Sequence, residues 1–144
     1  MLKKKGKTIA ILSVAALIVV VAVVWVCTSE VRVAFFVQSH KEDLSEIASA
    51  YLNGDISTES YRGTSVGGLC DGEHPIVQFY TFGWGLVPYM GFYYSPDDTP
   101  AAFQNVNVEL TLVSDNRWEW TDGTDNRGIT KKIDDCWYYY ESWL

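Results

Sequence analysis

Histidine is nearly absent from this chain: its 144 residues hold two, His40 and His74. A Ser–His–Asp or Cys–His centre needs an imidazole beside its nucleophile, so that chemistry has little to start from. Cysteine is scarce as well, with three residues and no C-x-x-C pair, the usual signature of a zinc knuckle. No Gly-rich phosphate loop stands at a strand-to-helix turn, which removes the common nucleotide-binding fingerprints. No internal repeat is evident. Beyond residue 27 there are 7 basic residues against 18 acids, a net charge of −11. Such a surface repels nucleic acid and anionic head groups and leaves cations and basic partners.

One absence is more telling than the rest. From Thr8 to Val26 there is no charged residue, and the only polar side chains are Thr8 and Ser13. At about 1.5 Å per residue, a helix of this length spans a hydrocarbon core of roughly 30 Å. Lys3, Lys4, Lys5 and Lys7 precede the run without any acid, which predicts a cytoplasmic N-terminus. A cleaved signal is the rival reading, but Val24-Trp25-Val26-Cys27 lacks the small residues a signal peptidase needs. A lipoprotein signal would want Gly or Ala before Cys27, where Val26 stands. The predicted order is a cytoplasmic basic tail over 1–7, a transmembrane helix over 8–27, a juxtamembrane helical stalk over 28–38 and an extracytoplasmic domain over 39–144. Residues 8–27 would then have the lipid bilayer as their partner. No GxxxG pattern in the run argues for helix pairing.

Downstream, Leu44, Ile47, Ala48, Tyr51 and Leu52 recur at helical spacing and predict an amphipathic helix. The stripe extends backwards through His40, Val37, Phe36 and Val33. No Pro or Gly interrupts 28–38, so one continuous helix is the preferred reading. The alternative is a break at Ser39, which forms a capping-box pattern with Glu42. Asn53-Gly54 predicts the C-terminal stop.

From Asp55 the helical period disappears. Glycines and prolines punctuate β-branched and aromatic segments. Strands are predicted over Ser60–Val66, Ile76–Trp84, Tyr89–Ser95, Val106–Val113, Arg117–Thr121, Ile129–Ile133 and Cys136–Trp143. Val106–Val113 has the cleanest alternation, and Trp118 and Trp120 share a face of the strand that follows it. The fold class is therefore α+β: an N-terminal transmembrane helix, then an amphipathic helix packed on an antiparallel sheet of about six strands. The order resembles cystatin-like and nuclear-transport-factor-like folds, where a sheet curls around a helix; that resemblance implies architecture and no function.

Few constellations carry chemistry. Cys70 and Cys136 could pair in an oxidising compartment or remain separate thiols. Cys70-Asp71-Gly72-Glu73-His74, with Cys136, is a weak metal pattern, and a polar loop before a strand explains it equally well. Asp122-Gly123-Thr124-Asp125-Asn126 lacks calcium-loop spacing, because Arg127 and Ile133 occupy its sixth and twelfth positions. No catalytic, cofactor-binding or metal-ligating residue is assigned, and no cofactor.

Aromatics are the surplus: Trp84, Trp118, Trp120, Trp137, Tyr138, Tyr139, Tyr140 and Trp143 crowd the predicted strands. Core packing on both faces of the sheet is the preferred reading. The functional alternative is an exposed aromatic face for a protein or glycan partner. The expectation is a binding or assembly module at the cell envelope. An envelope-acting hydrolase or transferase using Asp or Glu, and a structural subunit of a membrane complex, are the alternatives.

Overall fold

The computed structural model describes residues 13–18, 20, 29–55, 59–70, 73–84 and 87–144. It divides into two compact units, Met1–Arg32 and Val33–Leu144. In the first, residues 13–18, 20 and 29–32 are helical, and Val14, Leu17, Ile18 and Val20 are each more than half exposed. Among the described residues no helix is long and apolar enough to cross a membrane. The expected tail over 1–7 and most of the expected span over 8–27 lie outside the described residues.

The second unit is α+β. Residues 33–39 are helical and lead into α1, Lys41–Leu52. Between them His40 leaves the helical region, with φ −129° and ψ 22°. Hydrogen bonds still pass through the joint: His40 N–H reaches the Phe36 carbonyl at 3.1 Å, and Leu44 N–H reaches that of His40 at 3.0 Å. The Ser39–Glu42 capping box does not form; His40 precedes α1 and makes no side-chain cap bond there. Its ring looks the other way, Nδ1 donating to the Phe36 carbonyl at 2.9 Å. That bond is a second one to a carbonyl that already accepts the His40 N–H. The apolar stripe runs across the joint. Val33, Val37, Leu44, Ala48 and Tyr51 are buried, with Phe36, Ile47 and Leu52 packed beside them.

α1 stops where Asn53-Gly54 predicted. Gly54, at φ +86°, sends its N–H to the Tyr51 carbonyl, and Asp55 N–H reaches Ala50. These are the paired bonds of a Schellman end, which needs a residue at ease with positive φ.

Among the described residues the sheet has eight strands rather than about six: β1 Ser60–Tyr61, β2 Thr64–Cys70, β3 Ile76–Trp84, β4 Val87–Tyr94, β5 Thr111–Ser114, β6 Arg117–Thr121, β7 Arg127–Asp134 and β8 Trp137–Trp143. Their spatial order is β1-β2-β3-β4-β8-β7-β6-β5, and every pairing is antiparallel. Two four-stranded meanders thus meet at β4 and β8, and the chain crosses from β4 to the far edge through residues 95–110.

Two predicted strands are corrected. Ser60–Val66 is a hairpin, because Arg62 (φ 49°) and Gly63 (φ 83°) form the two-residue turn with both φ positive that suits strand twist. Val106–Val113 pairs only over Thr111–Ser114. Residues 106–110 are the last part of the crossing, where Val108 and Leu110 pack onto the sheet face instead of joining a ladder.

Consecutive aromatics in β8 serve two cores. Trp137 and Tyr139 join Val77, Phe79 and Phe92 under the helical stripe. Tyr138 and Tyr140 point to the other face and meet Ile76, Tyr93, Trp120, Ala101, Ala102 and Phe103. Trp137, Tyr138, Tyr139 and Tyr140 are 0–1% exposed, which makes these four core rather than a free aromatic face; the fifth β8 aromatic, Trp143, is half-buried. The crossing segment is the second face's lid, tied down by tyrosine hydroxyls. Tyr93 Oη accepts the Ala101 N–H at 2.8 Å and meets Thr130 Oγ1 at 2.7 Å. Tyr138 Oη donates to the Asp98 carbonyl at 2.7 Å. Burial pushes both phenols well above their ordinary value, so both stay protonated.

Glycines make room for that second layer. Gly128 pairs with Trp120, and a Cβ there would lie 2.6 Å from the indole Nε1. Gly91 pairs with Tyr140, and a Cβ there would lie 2.8 Å from its hydroxyl. Each ring lies across a neighbour that has no side chain to lift it.

Candidate functional site

Cys70, His74 and Cys136 gather at one end of the sheet without making a reactive centre, and the Asp122 loop lies at the other end. Cys70 is level with Ile76 on β3, and Ser95, just past β4, hydrogen-bonds the Cys136 carbonyl at 2.8 Å. Strands β3 and β4 therefore separate the two cysteines, and three strand spacings of about 4.8 Å put them roughly 14 Å apart. A disulfide needs Cα atoms within about 7 Å, so the pairing reading is closed by topology. Cys136 is a free thiol, which burial chiefly, and then the Asp98 and Asp135 carboxylates, push above its ordinary value. A thiol held protonated is a poor nucleophile.

His74 meets Asp97, and Asp97 also accepts from Ser95 Oγ at 2.9 Å. The order is Ser–Asp–His. A nucleophilic triad requires the histidine in the middle, next to the hydroxyl whose proton it takes. Ser95 is fully buried, and its Oγ also donates to the Thr99 carbonyl at 2.8 Å and accepts the Thr99 N–H at 3.1 Å. This is loop architecture. Asn105 adds a bond from Nδ2 to the His74 carbonyl at 3.0 Å. Among the described residues no three His, Cys, Asp or Glu side chains gather to hold a metal. The Asp122 loop is a turn: its carboxylate accepts from Thr124 N–H (2.9 Å), Thr124 Oγ1 (2.6 Å) and Asn126 Nδ2 (2.8 Å).

Asp98 is the clasp of the crossing segment. It pairs with Lys132, accepts the Cys136 N–H at 3.0 Å and accepts from Tyr138 Oη at 3.1 Å. Partial burial pushes its carboxyl up, but these donors outweigh burial and hold it below the ordinary 3.8. A carboxyl with a depressed folded pKa stabilises the fold at neutral pH. That contribution is lost as pH falls through about 4 and on through the folded value. Acid titration followed by near-ultraviolet circular dichroism should show the aromatic signal of the second core loosening from about pH 4 downward. Asp98→Asn should flatten that acid limb; an unchanged limb would remove Asp98 from the clasp.

The surface that remains open lies on the first face, beyond the reach of α1. Three cross-strand rows occupy it, from Thr121–Arg127–Trp143 through Glu119–Ile129–Glu141 to Arg117–Lys131–Tyr139. The last row continues through Phe92 and Phe79 under the helix, which fixes the face the others share. Glu119, Thr121 and Arg127 are exposed, while Arg117, Ile129, Lys131, Glu141 and Trp143 are half-buried. Arg127 lies 5.9 Å over the Trp143 ring, Arg117 stands 3.6 Å from Glu119, and the Tyr139 hydroxyl donates to Glu141. Three of the six basic residues after Val33 sit on this patch of an acidic domain. Arg117 and Lys131 face each other directly, a like-charge pairing that disfavours the bare sheet.

The other aromatics divide as follows. Trp120 is buried, and Trp118 is half-buried beside Tyr138 at 6.2 Å between ring centroids. The side chain of Trp84 lies outside the described residues. Glu119, Arg127, Lys131 and Glu141 were not singled out in the sequence. Their alternation with buried neighbours was readable, but their meeting on one patch depends on the register of β6, β7 and β8. No known protein family, curated protein or solved structure matches the chain.

Proposed function

We propose that the chain is a single-pass, membrane-anchored binding or assembly module of the cell envelope. Residues 1–7 lie in the cytoplasm, 8–27 cross the bilayer and the α+β unit works outside. The uncharged run Thr8–Val26 behind four lysines supports the topology. The binding role rests on one observation: the uncovered sheet half carries Trp143 with Arg127 above it, ringed by Glu119, Lys131 and Glu141. A half-buried aromatic among mixed charges on a rigid sheet suits a protein or glycan partner, through ring stacking and charge-assisted hydrogen bonds.

Two measurements test it. Removing residues 1–27 should release the domain from the membrane fraction, and protease should reach the domain in intact cells. A domain shielded until the cells are permeabilised overturns the orientation. Trp143→Ala should lower capture of envelope partners about tenfold or more while leaving thermal unfolding nearly unchanged; unaltered capture removes this face.

A second reading follows from the middle row, where Glu119 and Glu141 flank Ile129. Two strand spacings, roughly 10 Å between backbones, are compatible with an acid–base carboxylate pair on a glycan. In that case Glu119→Gln or Glu141→Gln would abolish turnover of envelope glycans while binding persists.

A further inference from the structure

We propose that β5 is a docking edge that takes a basic, extended polypeptide segment as a ninth strand. This rests on the binding-module reading and names a different surface within it. β5 ends the sheet, and all four of its residues are exposed, Leu112 at 62% and Val113 at 46%. Both apolar side chains stand open on the rim, where an added strand would cover them. The residues just before it, Val106 to Leu110, alternate as a strand would but belong to no ladder. A β-prone stretch of eight residues is thus paired only at Thr111 and Leu112, and at Ser114 beyond it, on one side, through Thr111↔Glu119, Leu112↔Trp118 and Ser114↔Arg117. Main-chain donors and acceptors on the outer side of an edge strand are a template for another chain.

Charge selects the occupant. Residues 109–122 hold Glu109, Asp115, Glu119 and Asp122 against Arg117 alone, and Arg117 already stands 3.6 Å from Glu119. A second copy would bring the same net-negative hairpin against itself, and like charges across a strand pair oppose pairing. A lysine- or arginine-bearing strand with alternate apolar residues meets both demands: its charges face the acids and its apolar side chains cover Leu112 and Val113. The irregular register between Leu112 and Ser114 limits the edge to a short partner.

The test uses the full chain in a mild detergent. The probe is a labelled peptide of roughly eight residues, alternating lysine and valine, with a glutamate–valine peptide as control. Anisotropy should show the lysine peptide binding at least tenfold tighter than the control. Amide hydrogen exchange should slow within residues 107–114 and nowhere else. Leu112→Lys with Val113→Lys, both at exposed positions, should weaken binding at least tenfold with the fold intact by circular dichroism. Glu109→Lys with Asp115→Lys should reverse the preference between the peptides. Equal binding of both peptides, protection elsewhere, or sedimentation as a dimer that the double-lysine variant dissolves would overturn the proposal. The topology assay stands apart: a domain shielded from protease in intact cells but with a protected edge refutes the location, and an anchored, protease-accessible domain with an unprotected edge refutes the ninth strand.

Discussion

Replacing Trp137 with alanine should remove about 3–5 kcal/mol of folding stability. Trp137 is completely buried where the two meanders meet, on β8 beside β4. Its ring packs on Phe79 at 5.7 Å, Phe92 at 5.9 Å and Tyr94 at 5.1 Å between centroids. Truncation would leave a large cavity under the helical stripe, and rigid aromatic neighbours on β3 and β4 cannot collapse into it. Thermal unfolding of the full chain, followed by far-ultraviolet circular dichroism, should fall by roughly 12–20 °C at about 4 °C per kcal/mol. The indole Nε1 is buried without a hydrogen-bond partner. Trp137→Phe therefore removes an unmet donor along with the volume, and should lose less than half as much as alanine. Equal losses for the two variants would mean that volume is not what holds this site.

The second large effect is at Gly91. A Cβ there would stand 2.1 Å from the Phe79 carbonyl oxygen and 2.8 Å from the Tyr140 hydroxyl. The first contact is with backbone. It can be relieved only by parting β3 from β4, where Tyr80 pairs with Gly91. Gly91→Ala should cost about 3 kcal/mol or more, beyond the usual overpacking range because the obstacle cannot rotate away. Gly123→Ala is the internal control. Gly123 sits at φ +87° with nothing within 4 Å of a Cβ, so only backbone strain remains, about 1 kcal/mol. Urea unfolding midpoints compare the two directly. Should Gly91→Ala prove no worse than Gly123→Ala, the close approach of β3 and β4 is not as described.

Local chemistry made several elements legible in advance. The Leu44–Leu52 stripe and the Asn53-Gly54 stop are local, and both appear where expected. Ile76–Trp84 and Arg117–Thr121 match β3 and β6 residue for residue, because apolar periodicity and turn residues lie in the same short window. The misses are as instructive. Val106–Val113 shows the best alternation, yet Val108 and Leu110 are drawn onto the second face by Trp120, Tyr138 and their neighbours. A local pattern cannot tell whether a ladder partner or a bare sheet face will claim it. The Arg62-Gly63 turn hid inside a predicted strand because arginine gives no turn signal by itself. The joint at His40 followed neither rival reading in full: helical bonds pass through a residue of non-helical angle, and no Ser39 cap forms.

By itself the sequence determined the uncharged N-terminal run and its lysine flank, the acidic balance downstream, the helix-then-strands order and an aromatic load meant for two sheet faces. These follow from composition and from spacings of two to four residues, where side-chain chemistry acts on its own backbone. Only the tertiary structure decided the strand order, and that order did the rest. Placing β4 against β8 set two strands between Cys70 and Cys136, closed both faces over Trp137 through Tyr140, and lined up Glu119, Arg127, Lys131, Glu141 and Trp143 on one open patch. Which strands become neighbours is a contest among contacts far apart in the chain, won by total burial, and no short stretch of residues carries that information.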